Sequence, residues 1–142
     1  MKPEETVDFH IRWAWLKIAR MYNQEAASHG LTQTIGFVLL NIDPKHGTPS
    51  TQLGPMIGME KTSLSRTLKT MEEKGFIYRE QDTIDKRVIR IKLSPEGRRL
   101  RDVSKRTVVE FNERILQDVP QRKLEHFKEV IQIIEQHTLK EV

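Results

Sequence analysis

The chain has 142 residues, 37% of them hydrophobic and 31% charged, a polar balance that suits one domain of long helices with wet outer faces. It contains no cysteine, which excludes disulfides, thiolate zinc sites, iron–sulfur clusters and thiol redox switching. The net charge of +4 is unevenly placed: Lys61 to Arg106 hold 14 Lys/Arg against 7 Asp/Glu, and the rest of the chain is mildly acidic.

Such a basic middle fits either a nucleic-acid footprint or the solvated face of long helices. The longest apolar run, Ile35 to Leu40, is far short of the ~20 residues of a membrane span. The opening Met-Lys-Pro-Glu-Glu has no apolar stretch of the signal-peptide kind. A cytoplasmic protein without a membrane partner is expected.

Residues 6–28 read as one long helix with two apolar stripes. Val7, Ile11, Ala14, Ile18 and Met21 form the first, and Phe9, Trp13 and Leu16 lie beside it. A helix lying on one core needs a single stripe, so two stripes imply two partners. His29-Gly30 ends the helix. Leu31-Thr32 then offers a staple and an N-cap for a shorter helix near 33–42, with Ile35, Val38, Leu39 and Ile42 inward.

After a turn at Asp43 to Gly47, Pro49-Ser50-Thr51 is expected to cap a short third helix around Leu53, Met56 and Ile57, stopped by Gly58. Gly54-Pro55 falls inside it, and a proline there removes a backbone donor while the glycine adds freedom. A shortened or distorted helix is predicted. A fourth helix, near 60–74, buries Leu64, Leu68 and Met71 and ends at Gly75.

Phe76 to Arg79 has strand composition, and Val88 to Leu93 alternates apolar with basic residues. Gln81 to Lys86 forms the polar tip between them. Ser94-Pro95-Glu96 starts a helix that reaches about residue 117 and carries Leu100, Val103, Val108, Phe111 and Ile115. Pro120 opens the last helix, where Leu124, Phe127, Ile131 and Ile134 repeat at helical spacing to about residue 138.

Two short helices joined by a glycine-containing turn, followed by a basic-tipped hairpin, form the layout of a winged helix-turn-helix. A helix that enters a major groove needs a slim, polar and positive outer face. Lys61, Thr62, Ser63, Ser65, Arg66, Lys69 and Thr70 give the fourth helix such a face. Its hydroxyls suit phosphates or bases, and its cations suit guanine edges. Lys86 and Arg87 stand at the hairpin tip, where an arginine can enter a narrow minor groove.

From Thr48 through Leu100 the sequence resembles the MarR family of bacterial winged-helix regulators. The resemblance rests on Leu64-Ser-Arg-Thr-Leu68, Glu73-Lys-Gly-Phe-Ile-Tyr-Arg79, Asp85-Lys-Arg87 and Leu93-Ser-Pro-Glu-Gly-Arg98, four segments in register, with helical flanks that agree in length and order. It implies a mainly α fold of order α-α-β-α-α-β-β-α-α, a single domain over residues 1–142 with the winged helix at 32–94. It also implies a homodimer intertwined through residues 6–28 and 95–138, which accounts for the double stripe.

On the same resemblance the fourth helix would enter the major groove of a pseudo-palindromic operator. Arg87 would reach the minor groove, oriented by Asp85; an ordinary turn salt bridge is the competing account of that pair. Arg79 has two open roles, a phosphate contact or a pairing with Asp82 or Asp85.

Many relatives release DNA when a small aromatic or amphipathic acid binds. His10, Trp13, Trp15 and Tyr22 are the candidate pocket residues, against the alternative that these rings fill a dimer core. No cofactor and no metal are expected, since the five histidines lack ligand spacing. Neither a nucleophile elbow nor a phosphate loop points to an enzyme. A transcriptional repressor is expected, with a winged-helix dimer acting through protein partners as the alternative.

Overall fold

The computed structural model describes residues 1–139. Its elements run α1 (Val7–Ala27), α2 (Gln33–Asn41), β1 (Thr48–Pro49), α3 (Ser50–Ile57), α4 (Lys61–Glu73), β2 (Ile77–Gln81), β3 (Ile89–Leu93), α5 (Pro95–Asp118) and α6 (Gln121–Gln136). A 3-10 turn at Pro3–Glu5 precedes α1 and is not evident from sequence. The chain divides into two compact units, residues 1–107 and 108–142, with the division inside α5. Thus α1 belongs to the same unit as the winged-helix elements.

The core of the first unit gathers one face of each element. Val38 and Leu39 of α2, Leu53 of α3, Leu64, Leu68 and Met71 of α4, Ile77 of β2, Ile91 and Leu93 of β3 and Leu100 of α5 are all buried. The α4 stripe follows the 3.6-residue period and the β3 pair follows the period of two, so burial selects the faces that the hydrophobic pattern marks.

The sheet has order β1-β3-β2 and is antiparallel throughout. Thr48 lies opposite Ile91, and β2 pairs with β3 from Ile77↔Leu93 to Gln81↔Ile89.

Side-chain caps set several helix starts. Thr6 Oγ1 accepts from the Phe9 amide at 3.3 Å, and Thr32 Oγ1 accepts from the Ile35 amide at 3.2 Å. Ser94 has a wider role. Its oxygen accepts from the Gly97 amide at 3.0 Å to cap α5, and its hydroxyl faces the carbonyls of Gly75 and Phe76. One side chain therefore ties the end of β3 and the start of α5 to the exit from α4.

At α3 the structure departs from expectation. Pro49 occupies the cap position with no side-chain bond, and Ser50 is already helical. The helix also passes through Pro55 and ends only at Gly58, whose φ of 70° is left-handed. The proline leaves the Thr51 carbonyl without its helical donor, and the helix continues for two residues past it.

Gly54 is not there for freedom. A Cβ at that position would lie 3.1 Å from the Met59 carbonyl oxygen and 3.5 Å from Leu64 Cδ2. The glycine permits the close crossing of α3 by the turn into α4.

The second unit, by itself, comprises the last turns of α5 and α6. No residue of α6 is buried: Leu124, Ile131 and Ile134 are half-buried, while Phe127 is 58% exposed and Ile133 53%. In the first unit α1 likewise buries no residue, and Trp13 and Trp15 are each 50% exposed. No helix among the described residues is long and apolar enough to cross a membrane.

Candidate nucleic-acid interface

Burial of Leu64, Leu68 and Met71 fixes which side of α4 faces outward. At about 100° per residue, Thr62, Arg66 and Lys69 lie opposite that stripe, with Ser63, Ser65 and Lys61 toward its edges. All six are exposed. Thr70 is half-buried, and its hydroxyl donates to the Arg66 carbonyl at 3.2 Å, leaving only acceptor lone pairs for another molecule. Among the described residues Lys61, Arg66 and Lys69 have no ion-pair partner.

The same helical arithmetic places Glu73 on the outward face, one turn beyond Lys69. This acidic end escaped the sequence analysis, which stopped at Thr70. The stretch free of acids on this side of α4 therefore runs from Thr62 to Lys69.

Residues 82–88 form the wing tip, and its acids organise it. Asp82 Oδ2 accepts from the amides of Ile84 at 3.1 Å and Asp85 at 2.8 Å, while its Oδ1 lies 2.6 Å from Arg90 Nε. These bonds lower the Asp82 carboxyl to about 2, the Asp85 amide and Arg90 being the main donors.

Asp85 in turn takes the Arg87 guanidinium in a two-pronged pair, both contacts 3.1 Å, and the Arg87 amide at 3.1 Å. The Arg87 side chain stays 90% exposed. Pairing holds the Asp85 carboxyl below its usual range and Arg87 above its own. Lys86 is exposed beside it, with its carbonyl bonded by Gln81 Nε2 at 3.0 Å.

Arg79 pairs with neither Asp82 nor Asp85. Alternation along β2 turns it to the side of Ile77, toward α4, where its Nε lies 3.6 Å from Glu72 Oε2. There it helps line a groove of about 660 Å³ between α3 and α4 with Lys61, Ser65 and Gly58. Arg90, which sequence reasoning passed over as one cation of an alternating strand, is the partner that Asp82 takes.

The four residues proposed for an effector pocket do not share one surroundings. His10 Nε2 lies 2.7 Å from the Glu4 carbonyl oxygen, and the Trp13 ring contacts Phe9 at 6.4 Å. On another side of α1, Trp15 stacks on Phe37 at 6.4 Å and Tyr22 meets the same ring edge-on at 5.9 Å. Burial pushes the Tyr22 phenol up. Phe37, on α2, is the ring that joins them, and periodicity alone could not pair it with α1. Among the described residues no group of three or more His, Cys, Asp or Glu is arranged to hold a metal ion.

Residues 31–89 match the MarR family model. The fold is similar to that of the S. aureus MepR–DNA complex, with TM-score 0.83 and 18% identity over 93% of this chain and 98% of that one. It is also similar to CouR from Rhodococcus jostii RHA1 bound to p-coumaroyl-CoA, with TM-score 0.82 and 21% identity over 99% of each chain. A third similar structure is PcaV from Streptomyces coelicolor in complex with its natural ligand, with TM-score 0.80 and 15% identity over 98% of each chain. Among the described residues, the helices and the three-stranded antiparallel sheet share the winged-helix fold of these structures.

Proposed function

We propose that this chain, which carries a MarR-family domain over residues 31–89, is a homodimeric, sequence-specific DNA-binding regulator that represses transcription. The observation that carries the proposal is the outward face of α4. Thr62, Ser65, Arg66 and Lys69 are exposed without an acid among them, while the opposite stripe anchors the helix in the core. A helix of about 11 Å diameter with such a face fits a major groove. Arg87, exposed and pre-oriented by Asp85, supplies the wing's minor-groove contact, with Lys86 beside it on the backbone.

Self-association is supported by the apolar residues that α1 and α6 leave exposed, Trp13, Trp15, Phe127 and Ile133 among them. Large apolar side chains left exposed on a helix are the kind of surface that marks an interface. Two copies would place recognition helices about 34 Å apart, on successive turns of a pseudo-palindromic operator. Release by a small aromatic or amphipathic ligand is part of the proposal, since the similar CouR and PcaV structures hold ligands.

The test is binding of the chain to fragments of its source genome across a salt series. Sequence-selective binding whose log affinity falls by about 0.9 per phosphate contacted, per log unit of salt, supports the proposal. Salt-independent or absent binding overturns it and favours action through protein partners.

A further inference from the structure

The wing tip carries one side chain that its polar chemistry does not explain. Ile84 is 94% exposed, and among the described residues only Met1, at the start of the chain, is a more exposed large apolar residue. Turn positions ordinarily take Gly, Asn, Asp or Ser, whose backbone freedom or side-chain bonds favour a bend. Isoleucine has neither property, and a side chain this exposed adds no burial to the fold.

The backbone beneath it is braced. The Asp82 amide donates to the Val88 carbonyl at 2.9 Å, and the Val88 amide donates to the Asp85 carbonyl at 3.0 Å. Within that closure Asp82 Oδ2 accepts from the Ile84 amide at 3.1 Å. Ile84 is therefore held outward on a fixed turn, and its branched side chain has little rotamer freedom to lose on contact.

Charge decides what kind of surface it meets. Both acids of the tip are committed, Asp82 to Arg90 and two amides, and Asp85 to Arg87. Thr83, Lys86 and Arg87 are the exposed side chains beside Ile84. An apolar point flanked by cations suits a polyanion with apolar walls. The minor groove of a duplex is such a surface, about 6 Å wide and negative in potential, and apolar side chains enter it as wedges between base pairs.

We propose that Ile84 is a wedge that enters the minor groove beside Arg87 and partly unstacks one base step. The wing thereby selects a deformable pyrimidine–purine step with no hydrogen bond to it. This rests on the proposed binding of DNA through the wing, to which it adds a residue and a kind of readout.

The test uses the full chain and a short duplex cut from its tightest-bound genomic fragment, with 2-aminopurine placed in turn at the adenines of the flanks. The parent chain is expected to raise the fluorescence at one step, and Ile84→Ser is expected to abolish that rise. Ile84→Ser is also expected to weaken binding about tenfold, the loss of one buried aliphatic side chain. The salt slope should stay that of the parent, because no phosphate contact is removed. Ile84→Leu is expected to keep most of the affinity and of the fluorescence rise. Exchanging the unstacked step for a stiffer one should weaken the parent and affect the serine variant far less.

Undiminished affinity in Ile84→Ser overturns the wedge and leaves the tip to a protein partner. A loss accompanied by a smaller salt slope traces to Arg87 and overturns it too, as does a duplex whose stacking the parent leaves unchanged. Absence of binding by the parent to any genomic fragment overturns the proposed function and the wedge together, whereas binding that ignores Ile84 overturns the wedge alone.

Discussion

Arg87 bonds to the carboxylate of Asp85, two residues before it, through both its guanidinium and its backbone amide, while nine-tenths of its side chain faces solvent. An exposed ion pair of this kind contributes little to folding. Its effect is on orientation, because it removes rotamers that a free arginine would have to give up on binding.

Arg87→Ala is therefore expected to weaken operator binding by about 1–3 kcal/mol with folding unchanged. Asp85→Asn, which leaves the cation but frees it, is expected to cause a smaller loss. Fluorescence anisotropy at fixed salt measures both, and equal affinities for parent and Arg87→Ala would remove the wing from the interface.

The outward face of α4 predicts two changes of opposite sign. Arg66→Ala should weaken binding by about 1–3 kcal/mol and reduce discrimination between operators if it reads a base, or reduce the salt slope by about 1 if it meets phosphate. Glu73→Gln should strengthen binding to any duplex, by up to about 1 kcal/mol, by removing an anion from the same side of the helix. Anisotropy with specific and scrambled duplexes separates these effects.

Gly97 tests the junction organised by Ser94. A Cβ there would stand 2.0 Å from the Phe76 carbonyl oxygen, and neither backbone can yield without breaking the bonds around Ser94. Gly97→Ala is expected to destabilise the chain by about 3 kcal/mol or more, read from the urea midpoint. Leu68→Ala, in the buried stripe of α4, should cost about 2–5 kcal/mol.

The wing should be sensitive to acid only at its lower end. With Asp82 depressed to about 2 in the folded chain against about 3.9 when unfolded, its contribution is full above pH 4 and is lost as pH falls through 2. Carboxyl-carbon NMR titration should find Asp82 still ionised at pH 3. In Arg90→Gln the Asp82 midpoint should rise, because one of its two main donors is gone.

The exposed apolar residues of α6 predict the assembly state. Phe127→Asp places a charge where a partner is proposed to cover the ring. Analytical ultracentrifugation is expected to report a dimer for the parent chain and a monomer for the variant, with helix content by circular dichroism largely retained. A monomeric parent would remove the basis for a two-half-site operator.

Much of this architecture is readable from local chemistry. The Leu64, Leu68, Met71 stripe, the alternation around Ile91, and the caps at Thr32 and Ser94 are short-range features, and each is where the sequence pattern puts it. The partners of Arg79 and Arg90 were not readable, because a strand's pleat and its neighbours decide them. Arg79 turns to Glu72 on α4, and Arg90 crosses to Asp82 at the wing tip.

Trp15 and Tyr22 meet the same Phe37 ring of α2, while His10 and Trp13 lie on another side of α1, a division that helical rotation sets.

Gly54 sets a limit on how such a chain can diverge. Where α3 meets the turn into α4, the Gly54 main chain lies against the Met59 carbonyl, with the Leu64 side chain beside it. A larger residue at 54 has to push that turn or the leucine aside, so the seat of α4 tolerates less change there than its outward face does. New target preferences are then most readily written in the letters displayed along the helix.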